Sequence, residues 1–167
     1  MIIISWISII IIIFIVFFLA DKSIKKDLKR EKEEGIIVSD KSAKYIGGFP
    51  DVSGGKKAHI KVKQNEVEIV LYQYSNVINK VIPMEIITNA QIKSESQIAN
   101  EVTLGRMLLL GPLAFAFKKE KSIVKNYLVI SCKKQDKEIS LIFKTGSISE
   151  ESIVNKIREI KNITSIF

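Results

Sequence analysis

A single cysteine, Cys132, occurs in the chain, which excludes an intramolecular disulfide framework. It alternates with Leu128 and Ile130, the pattern of a buried structural thiol rather than a reactive one. Histidine is as scarce. The only one, His59, stands on the lysine face of a predicted strand with no nucleophile beside it, and reads as a surface or packing residue. No paired Cys/His ligands exist for zinc, and no phosphate loop with a Gly-Lys-Ser/Thr ending is present. Gly105 and Gly111, six residues apart, match no glycine motif that carries a mechanism. Arg106 is charged in an apolar setting, but it reads as a residue at a surface turn or as a partner of Glu101 rather than as a catalytic group. With no site to assemble, the chain is expected not to be an enzyme and to carry no metal or cofactor.

Charge is absent where apolar residues are densest. Residues 2–20, IIISWISIIIIIFIVFFLA, hold no charged side chain over nineteen positions. At ~1.5 Å per helical residue this run reaches roughly 28 Å, enough for a bilayer core. A cleaved signal peptide needs basic residues before its apolar core and a small-x-small site after it; here nothing basic precedes residue 2, and Phe18-Leu19-Ala20 puts bulk where a small residue is needed. Residues 1–20 are therefore expected to be an uncleaved transmembrane anchor, with Trp6 near one interface. Lys22, Lys25, Lys26, Lys29, Arg30 and Lys32 follow the run and none precedes it, which predicts a single-pass protein of the cell membrane with a cytoplasmic C-terminal side. Residues 21–42 form a charged juxtamembrane linker, either a continuation of the helix or a solvated segment.

The formal net charge is +8, and its excess belongs to the remainder: residues 35–167 hold 20 Lys/Arg against 13 Asp/Glu. That balance favours an acidic partner. Nucleic acid is not expected, because no recognition helix or stacking platform is evident and Tyr72 and Tyr74 read as sheet-packing residues.

From Lys57 onward short period-two stretches alternate with turn residues. KAHIKVK places Ala58, Ile60 and Val62 on one face and turns through QNE into VEIVLYQY. NVINKVIP and EIITNAQIKS follow, and NYLVISCKK and EISLIFKT form a later hairpin through QDKE. The apolar run at residues 104–117 contains Arg106 and is broken at Gly111-Pro112; it is too short for a second span, and LAFAFKK is expected as a core strand. The chain closes on a helix signal. Ser147 and Glu150 have capping-box spacing, and Ile153, Val154, Ile157 and Ile160 make one apolar stripe.

Taken together, YIGGFPDVSGGKK, the meander strands, EVTLGRMLLLGPLAFAFKK, NYLVISCKK and the terminal helix resemble a bacterial pleckstrin-homology (PH)-like domain over residues 45–162. The resemblance implies a mainly β fold at residues 43–167: a bent, seven-stranded antiparallel barrel capped by one C-terminal helix. Six strands are evident, and either GIIVS or KYIGG supplies the seventh. It also implies a non-enzymatic binding module that presents a surface for a protein or for anionic lipid at the cytoplasmic face. The alternative is a structural or assembly subunit of a membrane complex; oligomeric state stays open. Within SGGKK, Gly54 and Gly55 allow backbone amides to converge on an anion while Lys56 and Lys57 add charge; the same residues also suit a flexible turn followed by solvated lysines.

Overall fold

The computed structural model describes residues 2–74, 76–101, 125–134 and 137–164, with side chains of the first helix placed from Ile11 onward. The chain forms two compact units, Met1–Ile36 and Ile37–Phe167.

The first unit is one helix, α1 (Ile2–Glu33). It runs without a break into the charged half, where Asp21–Lys25, Lys29–Glu33 and Arg30–Glu34 pair one turn apart at 2.7, 3.9 and 3.0 Å. Such exposed pairs each add only about 0.3–0.5 kcal/mol, but their spacing favours helix over solvated coil. Gly35, in the left-handed region at φ 71°, ends it, with its amide on the Lys32 carbonyl. Among the described residues no helix is long and apolar enough to cross a membrane. The side chains placed in α1 hold only Ile11 to Ala20 of the uncharged run before Asp21 begins the polar part. The transmembrane helix expected over residues 1–20 therefore finds no support in the described residues.

The second unit is an antiparallel sheet with helices. Its strands are β1 (Ile36–Asp40), β2 (Lys44–Gly47), β3 (Lys56–Lys63), β4 (Glu66–Gln73), β5 (Asn76–Pro83), β6 (Ile87–Ser94), β7 (Asn126–Lys134) and β8 (Lys137–Lys144). A 3-10 turn at Met84–Ile86 joins β5 to β6, α2 (Glu95–Glu101) follows β6, and α3 (Ser147–Thr164) ends the chain. The sheet order is β5-β4-β3-β2-β8-β7-β6, with β1 beside β3. Both stretches weighed for the seventh strand are thus used, as β1 and β2, and the described strands number eight. Among the described residues the expected barrel does not close: β5 and β6 are neighbours in sequence but stand at opposite ends of the order, and the 3-10 turn between them replaces a ladder. The expected strand LAFAFKK and the apolar run at residues 104–117 lie outside the described residues.

Alternation places one core on the inner face. Ala58, Ile60 and Val62 of β3 face Val67, Ile69 and Leu71 of β4, and all six are fully buried. Leu128, Ile130 and Cys132 of β7 with Leu141 and Phe143 of β8 complete the floor, and Ile153, Val154, Ile157 and Ile160 of α3 cover it. The expected helix stripe is therefore the core stripe. Burial also pushes the Cys132 thiol up to about 11, so it stays protonated at neutral pH. The helix begins one residue earlier than the capping box implies: the Gly146 carbonyl accepts the Ser149 and Glu150 amides at 3.0 and 3.1 Å. A smaller cluster on the other face, Tyr127, Val129 and Ile142, is covered by Ile98 of α2. At the β6 edge, Arg158 Nε donates to the Ala90 carbonyl at 3.1 Å and Lys161 Nζ donates to that of Ile87. Charged side chains thereby occupy backbone acceptors of an edge strand.

On the outer face of β3 and β4, Lys61 and Lys63 are neutralised. Glu68 accepts from Lys61 at 3.3 Å and lies 3.1 Å from Lys63, which also reaches Glu66 at 2.9 Å. Burial by itself would raise the Glu68 carboxyl, but the hydrogen bonds from Lys63 and Lys61 outweigh it and hold the group below the usual carboxylate range. With the folded-state value depressed, the stabilisation is full above the unfolded-state value and is lost as pH falls through the folded-state one. Stability of residues 37–167 should accordingly decline below about pH 4.5, and Glu68→Gln should flatten that decline in denaturant titrations run at stepped pH. An unchanged slope would locate the acid sensitivity elsewhere.

Candidate functional site

The four residues expected to hold an anion are neighbours but are not used alike. The segment before them is folded tightly: the Val52 amide donates to the Phe49 carbonyl at 3.3 Å around Pro50-Asp51, and the Phe49 amide donates to the Tyr45 hydroxyl at 2.6 Å. Lys80 of β5 staples this turn, reaching Asp51 at 2.5 Å and lying 5.6 Å from the centre of the Phe49 ring. Its hydrogen bond holds the Asp51 carboxyl below the usual range. Gly54 sits in a bend, and Gly55, at φ 88°, donates its amide to the Tyr45 carbonyl at 2.8 Å. That amide is occupied. Lys56 Nζ turns back to the Ser53 carbonyl and hydroxyl at 3.0 and 2.5 Å. Lys57, by contrast, is exposed.

Strand register gives Lys57 different company. It is the direct partner of Lys44 on β2, and Lys44 is in turn the direct partner of Lys144 on β8. All three side chains are exposed and, being in register, lie on one face. Adjacent strands are about 4.8 Å apart, so the row extends about 10 Å. Like charges set directly opposite one another destabilise a sheet, and none of the three meets a described carboxylate. Beside the row an open groove of about 510 Å³ is lined by Lys41, Ser42, Ala43, Lys44, Gly55 and Lys57. Its wall is held by local bonds: Asp40 Oδ1 accepts the Ser42 amide and hydroxyl, each at 2.7 Å, and the Ala43 carbonyl accepts the Ala58 amide at 2.7 Å. The arrangement can concentrate anionic oxygen on a preformed edge. Among the described residues no group of His, Cys, Asp and Glu is placed to bind a metal ion.

His59, expected at the surface or in packing, is buried. Tyr72 and Tyr74 correct their expectation as sheet-packing residues: both rings are exposed, because Tyr72 lies on the outer face and Tyr74 lies in the turn between β4 and β5. Sequence reasoning missed Lys44 and Lys144. The available signal was their outward position in strands whose alternate residues, Tyr45 and Phe143, are core. Set against protein-family models and against curated proteins, the chain matches none.

Proposed function

We propose that the chain is a non-enzymatic binding module, a PH-like domain tethered to a membrane by its N-terminal apolar helix, which recognises an anionic surface at the cytoplasmic face. The observation that carries this reading is the register that aligns Lys57, Lys44 and Lys144 beside the lysine-lined groove. The antiparallel sheet packed against one C-terminal helix supports the PH-like reading. The uncharged run at residues 2–20 and the six basic residues after it are the sequence features behind the tether and its direction. The alternative, an assembly subunit joined through sheet edges, is disfavoured by Pro83 and by the Asp51-bound Lys80 on the edge strand β5, features that discourage strand addition.

Sedimentation of residues 37–167 with vesicles tests the reading. Vesicles containing phosphatidylserine should bind the domain, and those of phosphatidylcholine alone should not. Each surface lysine contributes about 1 kcal/mol, so Lys44→Ala with Lys57→Ala should weaken binding about 30-fold. Lys133→Ala with Lys134→Ala removes the same charge and should cost far less. Equal losses would mean diffuse attraction without a site, and no binding by the unaltered domain would favour a protein partner.

A further inference from the structure

We infer that the β4–β5 hairpin tip, with Tyr74 at its apex, is an apolar anchor that enters the headgroup region of an anionic bilayer beside the lysine row. This inference rests on the anionic-surface reading above. Gln73 and Asn76 are direct partners, so the connection between them is two residues long and begins at Tyr74. Two-residue hairpin turns favour Asn, Asp or Gly because the twist of the strands demands positive φ. Here Tyr74 adopts φ 43°. A bulky aromatic side chain in that region is strained, and no packing offsets the strain, since the Tyr74 side chain is fully exposed.

The neighbouring pair belongs to the same surface. Tyr72 and Val77 are direct partners one step inside the turn, with exposures of 43% and 63%. Tyr72 is also the partner of Lys57. A single cross-sheet row therefore reads Val77, Tyr72, Lys57, Lys44, Lys144, apolar at one end and basic at the other. Aromatic and basic residues set side by side are the composition of surfaces that lie at a membrane interface. The occupant is argued from shape and charge. A projecting tip with a fully exposed ring needs a partner that yields around it, which the headgroup layer does without a preformed pocket, and the adjoining lysines require that layer to be anionic.

The test uses the full chain in nanodiscs of phosphatidylcholine alone or mixed with phosphatidylserine, read by amide hydrogen exchange and by thermal unfolding. Residues 72–77 and the groove segments at 41–44 and 57 should be protected only when phosphatidylserine is present. Tyr74→Asn should abolish protection of 72–77 and weaken docking about tenfold, while thermal stability holds or rises because asparagine tolerates positive φ. Unchanged protection of 72–77 in Tyr74→Asn would overturn the anchor and leave the lysine row standing. Equal protection of the tip on both lipids would overturn its coupling to the row. No protection of either region on phosphatidylserine would overturn the anionic-surface reading itself, and the anchor with it.

Discussion

Replacing Phe143 by alanine should lower the stability of residues 37–167 by about 3–5 kcal/mol. Phe143 is fully buried on β8, between its partners Tyr45 on β2 and Leu128 on β7, where the two halves of the sheet meet. Its ring centre lies 5.6 Å from that of Tyr45, and the Tyr45 ring lies 5.6 Å from that of Phe49. The surroundings resist collapse into the vacated space, because Tyr45 is held through its hydroxyl by the Phe49 amide and its own burial pushes that hydroxyl up to about 12. Deletion of the ring therefore leaves a cavity rather than a repacked core. Denaturant unfolding followed by circular dichroism reads the loss directly. A change below about 1 kcal/mol would mean that the junction of β2 and β8 is looser than described.

Gly48→Ala should be comparably damaging, at about 3 kcal/mol or more, through the backbone rather than the core. The position has φ 125°, costing any other residue about 1–3 kcal/mol. A Cβ there would also run into the Ser140 carbonyl and stand 2.8 Å from Leu141 Cα, so β8 itself has to move. Gly55→Ala is the matched control: φ is 88°, but a Cβ meets nothing within 4 Å, leaving only the conformational penalty. The two substitutions should therefore differ by at least about 1 kcal/mol in thermal or denaturant unfolding. Similar losses would show that φ alone matters and that the approach of β8 to Gly48 is not tight.

The elements that proved legible are those encoded by neighbours in sequence. NVINKVIP and NYLVISCKK are strands over their full expected lengths, because alternation is a property of adjacent residues. The stripe from Ile153 to Ile160 is the buried face of α3 for the same reason at helical period. Segments with weaker local patterns divided differently. GIIVS and KYIGG competed for one strand, and both are strands, since each gains its hydrogen bonds from β3. SGGKK suggested an anion turn, but its Gly55 amide is consumed by the Tyr45 carbonyl, a partner ten residues away that no glycine count reveals.

From the sequence by itself follow the apolar start, the basic excess, and the strand and helix periods, all of them properties of composition or of residues a few positions apart. Tertiary structure alone decided that Lys57, Lys44 and Lys144 form one row, that among the described residues the sheet stays open between β5 and β6, and that Tyr74 stands at positive φ on an exposed tip. Each of these depends on register, which is set by burying one face of every strand against distant partners. A shift of one residue would turn the lysines inward and the core outward, so the energy that selects the row lies in Tyr45, Ala58 and Phe143 beside it rather than in the lysines themselves.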